Sequence, residues 1–222
     1  MLQNLQFVKS EDSVEHKERE KKLRLLVRKA NKEHKKQAMK IDILCNDLIA
    51  AQKEFIKRLD TISFTAHFYK SILGATELNE LIFTAGKLIK EEVADANVAV
   101  FLRQSKNFEL FMFESEHPIA LEKKQMENCF SRELVEDVCK LNKVCTLDCL
   151  FEMGLQGNPV MLNKISAFTI PLSHSGTSQG FILIYRSSQY KLSTEEVNNI
   201  ASISSGLSRA ISSCQVVRQP AD

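Results

Sequence analysis

The sequence predicts an α+β domain with a central antiparallel sheet flanked by helices, preceded by a long N-terminal coiled-coil helix. Residues 13–59 lack Gly and Pro and carry apolar residues at alternating spacings of four and three. Further along, apolar and polar residues alternate with period two, in segments joined by short turns. Adjacent hairpins imply an antiparallel sheet, which together with separate helices defines the α+β class.

The composition is that of a globular protein with an extended element. The 222 residues are 44% hydrophobic and 26% charged, with a net charge of +2, which allows one domain of about 150 residues plus a further helix. Because the positive and negative charges nearly balance, the overall charge gives no reason to expect nucleic acid as a partner. Residues 16–40 are rich in Lys, Arg and His, and this run can be interpreted in two ways. It is either a basic arm or a solvated helix face, and the Glu residues that interrupt it favour the helix face.

We expect a cytoplasmic protein without a membrane partner. No segment approaches the ~18 uninterrupted apolar residues of a membrane span. Residues 1–10 have no apolar core of a signal peptide. Six cysteines without such a signal indicate free thiols in a reducing compartment.

The long helix is predicted over residues 14–67, after a flexible N-terminus at 1–13. Its apolar spacing averages 3.5 residues, which favours a coiled coil that pairs two copies. The alternative is a helix that folds back on its own domain. His34 and Gln37 are polar steps within the apolar stripe, and Leu59 and Ile62 continue it after a one-residue shift. We call this stripe the seam, and the homodimer interface is predicted at Leu23, Val27, Ala30, Ile41, Leu44, Leu48 and Phe55.

The domain is predicted at residues 68–213, before a flexible tail at 214–222. The long helix continues to about Leu73 and stops at Gly74. Ser193 and Glu196 form a capping box that opens the last helix, which ends near Ser213. The elements expected between them are a helix at 77–93 capped by Thr76, strands at 97–104 and 108–114, a helix at 131–141, a strand at 143–147, an irregular stretch at 148–163, and strands at 165–173 and 180–186.

This order and several local patterns resemble the GAF domain family over residues 68–213. A strand ends in Pro171-Leu172, a Gly-containing turn follows, and Gly180-Phe-Ile-Leu-Ile begins the next strand. The Ser-Thr-Glu-Glu cap then opens a helix ending in Leu207-Ser-Arg-Ala-Ile211. Thr76-Glu77-Leu78 is similar to the start of the family's first helix, and the segment 141–148 is similar to its helix-to-strand step. The resemblance implies first and last helices on one sheet face, loops closing a small-molecule pocket on the other, and dimerisation through terminal helices.

No catalytic signature is present, since the chain has no P-loop, no GxSxG and no HExxH. Some GAF domains bind cyclic nucleotides through a sequence motif, whose positions correspond here to Tyr185-Arg186, Lys191 and Glu195-Glu196. Of these positions, the final acidic one alone has the type of residue that the motif requires. Cyclic GMP binding by that pattern is therefore not expected. The phytochrome-type bilin signature is also missing.

A ligand pocket should be apolar with a few polar groups. Phe111 and Phe113 alternate on one strand, and Phe168 and Ile170 on another. Either pair lines the pocket or packs against the helices, because alternation does not identify the pocket face. The pocket candidates are Phe111, Phe113, Cys145, Asp148, Phe168 and Ile170, and the ligand and any cofactor are unknown.

Four cysteines fall within 21 residues, at Cys129, Cys139, Cys145 and Cys149. They could hold zinc or an iron–sulfur cluster, but no CxxC occurs and free Cys is a common small core residue. We therefore expect no metal site and no catalytic residues. The favoured function is a non-catalytic sensory or regulatory module that binds a small ligand or signalling protein and acts through a dimeric coiled coil. The alternatives are a structural dimer with a silent pocket and a thiol-based metal or redox sensor.

Overall fold

The segment without Gly or Pro forms a single helix, α1, over Gln3–Ile72. The computed structural model describes residues 3–93, 95–104, 107–114, 123–157 and 162–217, and it divides into two units, Met1–Leu59 and Asp60–Asp222. α1 begins at Gln3 rather than at residue 14, since residues 3–13 contain no Gly or Pro that would end a helix. From residue 16 to 59 every side chain is exposed.

The basic run in α1 is a solvated helix face. Arg24 and Glu20 form an ion pair at 2.6 Å, and Lys36 and Glu33 form one at 3.2 Å. Pairs three or four residues apart on an exposed helix contribute only about 0.2–0.5 kcal/mol each. Each pair joins a Glu to a basic residue of the same run.

The second unit contains the end of α1 and the remaining elements. A β-strand pair follows α2, three short helices come next, and a hairpin precedes the last helix. The bounds are α2 Leu78–Glu92, β1 Asn97–Gln104, β2 Asn107–Phe113, α3 Lys123–Cys129, α4 Arg132–Leu141, β3 Cys145–Thr146, α5 Leu147–Glu152, β4 Ile165–His174, β5 Thr177–Ser187 and α6 Thr194–Val217.

In the part of the chain that the structure describes, five strands form one sheet in the order β2-β1-β5-β4-β3. Every neighbouring pair is antiparallel, which confirms the predicted α+β class with an antiparallel sheet. The central strand β5 pairs with β1 and β4 and is buried along most of its length. Its apolar run, Gly180 to Tyr185, is typical of a strand covered on both faces.

The sheet separates two apolar cores because side chains alternate between its faces. On one side, which we call the terminal-helix face, Val98 and Val100 pack with α2, α6 and the end of α1. On the other, the short-helix face, Ala99 and Phe101 pack with α3, α4 and α5. The first and last helices of the domain therefore share one face, as the resemblance implied.

Three local predictions are corrected by the structure. Glu77 rather than Thr76 is the N-cap of α2, and its side chain makes no capping hydrogen bond within the described residues. The strand expected at 143–147 is reduced to Cys145–Thr146. The segment expected to be irregular begins with α5, because the Thr146 hydroxyl accepts a hydrogen bond from the backbone N–H of Cys149 at 3.4 Å and caps a short helix.

The capping box of the last helix is confirmed. The Ser193 hydroxyl accepts a hydrogen bond from the backbone N–H of Glu196 at 3.2 Å, and the Glu196 carboxylate accepts one from the backbone N–H of Ser193 at 2.7 Å. Arg186 donates to the same carboxylate at 2.8 Å. These contacts fix the start of α6 against the end of β5.

A bulge in β5 redirects side chains near the β4–β5 turn. Leu172 pairs with Gly180 while Ser173 pairs with Ser178, so Gln179 is the extra residue. Gly180 has a φ of 147°, which side chains of L-residues rarely adopt. As a result Gln179 donates a hydrogen bond to Ser212 of α6, while Ser178 lies next to Cys139 of α4.

Candidate functional site

The short-helix face contains an apolar cavity of about 30 Å³. A water molecule needs about 10–15 Å³ of such volume, whereas small-molecule pockets have about 300–1,000 Å³. This cavity is therefore the size of about two water molecules and is too small for an organic ligand. It is lined by Met126, Cys129, Phe130, Leu147, Leu150, Leu155, Leu162, Ile165, Ala167, Leu183 and Tyr185.

Aromatic side chains fill much of this face. The ring centroids of Phe101 and Phe181 are 4.7 Å apart, and those of Phe101 and Phe130 are 5.0 Å apart. Burial raises the pKa of Tyr185 to about 12, with the charge of Glu114 acting in the same direction. Burial also raises the pKa of the Cys129 thiol. At neutral pH both titratable groups of the lining are neutral, so the cavity offers no ionised nucleophile or base.

Cys145 and Asp148 occupy different environments. Cys145 is buried in the core of the short-helix face, where its thiol donates to the Lys143 carbonyl oxygen at 3.3 Å, and burial raises its pKa. Asp148 is exposed in the first turn of α5, where the negative charge of a carboxylate interacts favourably with the helix dipole. Neither residue lines the cavity.

The other four pocket candidates lie on the terminal-helix face. Ile170 is fully buried there, and Phe111, Phe113 and Phe168 pack against the same core. Gly86 of α2 leaves room for the Phe113 ring, which occupies the place where a Cβ would project. Alternation places these residues under the helices, on the face opposite the cavity. They are core residues, and we do not propose them as ligand contacts.

The cavity lining includes Leu147, Leu150 and Tyr185, which are not among the residues predicted from the sequence. The apolar run of β5 contains two alternating sets, Phe181, Leu183 and Tyr185 on one face and Ile182 and Ile184 on the other. The sequence shows this alternation, but only the positions of the helices show which set lies on which face of the sheet. Leu147 and Leu150 were missed because α5 is too short to show a helical period.

The end of α1 is part of the domain core. Phe68 is fully buried, and its ring centroid is 6.1 Å from that of Phe64. The Thr61 hydroxyl donates to the Asn199 side-chain oxygen of α6 at 2.7 Å, and the Asn199 amide donates to Glu92 of α2 at 3.0 Å. One polar side chain thus joins the three helices of this face.

The predicted seam is exposed in the first unit. Leu44 is 66% exposed and Leu48 is 69% exposed. The stripe from Leu23 to Phe55 extends over about 48 Å at 1.5 Å per residue. The polar residues His34 and Gln37 interrupt this exposed apolar stripe. The same seam includes Val27, Ala30 and Ile41, which are exposed as well.

All six cysteines are free. Among the described residues, no group of three or more His, Cys, Asp or Glu side chains is placed to hold a metal ion. Cys139 and Cys145 are buried members of the core on the short-helix face, and Cys129 and Cys149 pack against it. None of the helices in the described ranges combines the length and apolar character that crossing a bilayer requires.

Comparison with solved structures shows which fold this arrangement belongs to. The GAF domain of a phosphoenolpyruvate-protein phosphotransferase from Coxiella burnetii is similar at 15% identity, covering 72% of this chain and 96% of that one, with a TM-score of 0.55. The GAF domain of the Acinetobacter phosphoenolpyruvate-protein phosphotransferase has 12% identity, coverages of 71% and 96%, and a TM-score of 0.53.

A third similar structure is the chromophore-binding domain of the bacteriophytochrome RpBphP3 from R. palustris. It has 12% identity, covers 73% of this chain and 63% of that one, and gives a TM-score of 0.52. No protein-family model and no curated protein matches the sequence. At these identities the similarity concerns the fold, and the antiparallel sheet with its terminal helices on one face is a GAF-like fold.

Proposed function

We propose that this chain is a non-catalytic regulatory module that works as a homodimer. Two copies pair along the seam of α1, and the GAF-like domain passes the effect of a small ligand or a partner protein to the paired helices. The observation that carries this proposal is the exposed apolar seam, because pairing would remove its apolar side chains from water. Function is argued from these surfaces because a fold does not determine what its members bind.

A second copy is the occupant that the seam favours. Its apolar residues recur with an average spacing of 3.5, the repeat that lets two helices stay in contact over many turns. Leu44 and Leu48 are both more than half exposed, and burial of a leucine side chain contributes about 1.5–3 kcal/mol. The polar steps at His34 and Gln37 would fix the register of such a pair, as polar core positions do in coiled coils.

The coupling part of the proposal concerns the end of α1. Phe68 and Ile72 belong to the core of the terminal-helix face, and Thr61 is hydrogen-bonded to Asn199 of α6. A change in the packing of α6 would therefore act on the same helix that carries the seam. Because packed cores shift between discrete arrangements rather than deforming continuously, such an element is suited to switching.

The small volume of the apolar cavity favours a second candidate function, an interaction dimer whose domain binds no ligand in that cavity. About 30 Å³ is a tenth of the smallest usual ligand pocket. In this candidate the domain serves as a rigid element that holds the helices. The two candidates differ in whether the stability of the domain responds to helix pairing.

Thermal unfolding of the full chain at several concentrations distinguishes them. Tyr185 is buried in the domain, so tyrosine fluorescence reports the domain, while far-UV circular dichroism reports mainly the helices. For the coupled module we expect the domain midpoint to rise with protein concentration, because association stabilises the folded state. The seam variant Leu44→Asp/Leu48→Asp should lose this dependence.

The matched control is Met39→Asp/Ile43→Asp. These residues are 57% and 60% exposed, lie on the same helix with the same spacing and are outside the seam. The control should behave as the parent protein does. A domain midpoint that is equal at all concentrations and in all three proteins would refute coupling and favour the interaction dimer.

A further inference from the structure

A second, larger pocket lies within the Asp60–Asp222 unit, between the end of α4, the end of β1 and the β4–β5 turn. Its volume is about 300 Å³, which reaches the lower limit of small-molecule pockets. It is distinct from the apolar cavity and shares no residue with it. The lining consists of Arg103, Cys139, Lys140, Asn142, Gly176 and Ser178.

Two cationic side chains face this pocket. The Arg103 guanidinium lies over the Phe108 ring at 5.4 Å, and it makes no ion pair within the described residues. Lys140 donates to Asp137 at 2.9 Å. This contact raises the pKa of Lys140, and the nearby positive charge of Arg103 acts in the opposite direction. The two cations therefore repel each other, and an anion between them would relieve that repulsion.

Neutral hydrogen-bonding groups complete the lining. The Ser178 oxygen is enclosed and lies next to the Cys139 thiol, with which it interacts. Asn142 caps α4 in a left-handed conformation, with a φ of 47°, so a side-chain amide is present at the pocket. Burial raises the pKa of Cys139, so its thiol adds no negative charge there.

Two features oppose an anion at this place. Asp137 offsets part of the charge of Lys140, and the C-terminal end of α4 carries a partial negative charge. The nearby Glu136 is instead occupied by Arg132, at 3.1 Å. Arg103 is therefore the decisive group, because its planar guanidinium can form two parallel hydrogen bonds to an oxyanion.

We propose that this pocket binds a small oxyanion, the phosphate or carboxylate group of a small metabolite, with Arg103 and Lys140 as the charged contacts and Asn142 as a neutral donor. The site goes beyond the regulatory function proposed above, since all of its residues belong to one domain and its existence does not depend on helix pairing. If both inferences hold, it is a place where a ligand could act on the module.

The test is isothermal titration calorimetry of the full chain at constant ionic strength, with inorganic phosphate in one arm and acetate in the other. We expect saturable binding of one anion per chain. Tighter binding of phosphate would assign a phosphoryl group, and tighter binding of acetate would assign a carboxylate. Arg103→Gln should weaken binding about tenfold, as expected for the loss of charge-assisted hydrogen bonds.

Three variants complete the experiment. Lys140→Gln, at an exposed position, should weaken binding at least about threefold and provides the test if Arg103→Gln does not fold. Lys124→Gln removes an exposed cation of α3 outside the pocket and should retain the parent affinity. The seam variant Leu44→Asp/Leu48→Asp should also bind as the parent does, which separates this inference from dimerisation. No saturable binding in either arm, or equal binding by the parent and Lys140→Gln, would overturn the proposal.

Discussion

Gly180 and Phe101 approach each other so closely that the Phe101 carbonyl oxygen occupies the place of a Cβ on Gly180. The two residues lie on the neighbouring strands β5 and β1, where Gly180 pairs with Leu102. With a φ of 147°, Gly180 also adopts a backbone conformation that disfavours any side chain. This glycine therefore allows the bulge that directs Gln179 and Ser178 to opposite faces.

The first prediction follows from this contact. Gly180→Ala should lower the free energy of unfolding by about 3 kcal/mol or more, since backbone strain adds to steric overlap with backbone atoms. Urea unfolding measures the change. Gly74→Ala is the control, because a Cβ there meets no atom within 4 Å, and its effect should stay within about 0.5 kcal/mol. Similar losses in both variants would contradict the structure.

The second prediction concerns the pH dependence of Glu196. Burial favours the neutral form of this carboxyl group, but hydrogen bonds from Ser193 and the contact with Arg186 outweigh it and hold the pKa below the ordinary value of 4.5. A carboxylate with a depressed pKa stabilises the fold fully above 4.5, and this contribution disappears as the pH falls through the folded-state pKa.

Glu196→Gln keeps an oxygen for the capping box but loses the charge that faces Arg186. It should therefore reduce the free energy of unfolding by about 1 kcal/mol at neutral pH, the difference between a charge-assisted and a neutral hydrogen bond. The difference from the parent protein should shrink as the pH decreases below 4.5. Unfolding curves at several pH values provide the measurement, with the exposed Glu91→Gln as the control. A difference that is independent of pH would show that the carboxylate charge is not involved.

The third prediction is that Cys45 is the fastest thiol to react with a disulfide reagent. Cys45 is exposed on α1, whereas Cys139 and Cys145 are buried and have raised pKa values, so their thiolate forms are scarce. Cys45→Ser should abolish the fast phase and Cys145→Ser should leave it intact. A fast phase that persists in Cys45→Ser would instead place the most reactive thiol in the Asp60–Asp222 unit.

Elemental analysis of protein purified anaerobically without chelator extends this prediction to metals. We expect no stoichiometric metal, since Cys139 is on α4 and Cys145 on β3, each packed among apolar residues. A closed zinc site requires four ligands around one point. A stoichiometric metal that is lost in both Cys145→Ser and Cys149→Ser would instead establish a metal-dependent sensor.

The fourth prediction concerns the N-terminal limit of the domain. The sequence predicts a domain that starts at Phe68, whereas the compact unit of the structure starts at Asp60. A fragment of residues 60–222 should melt cooperatively. A fragment of residues 68–222 should melt at a lower temperature, because it lacks the Thr61–Asn199 hydrogen bond and the Phe64 ring. Equal melting temperatures would show that residues 60–67 do not contribute to the domain.

Local chemistry made parts of the fold predictable. Ser193 and Glu196 are three residues apart and satisfy each other's backbone groups, so the start of α6 could be predicted without tertiary information. The strands were recognised by period-two alternation, with limits within a few residues of those found. The GAF-like order of elements depended on these local signals together.

The sites were less predictable because they depend on tertiary placement. Alternation makes Phe111 and Leu110 face opposite sides of β2, but it cannot say which side the long helices cover. The pocket that contains Arg103 is lined by residues from β1, α4 and the β4–β5 turn. The bulge at Gln179 sets the direction of one of its lining residues, Ser178. No pattern within any one segment of the sequence contains that arrangement.

Sedimentation equilibrium of the full chain is the most direct test of pairing along the seam. One chain has a mass of 25.2 kDa, and at tens of micromolar we expect the parent protein and Met39→Asp/Ile43→Asp to sediment with twice that mass. Leu44→Asp/Leu48→Asp should sediment as a monomer, since charges buried in a paired interface are costly. A monomeric parent protein, or a seam variant that remains dimeric, would contradict the proposed homodimer.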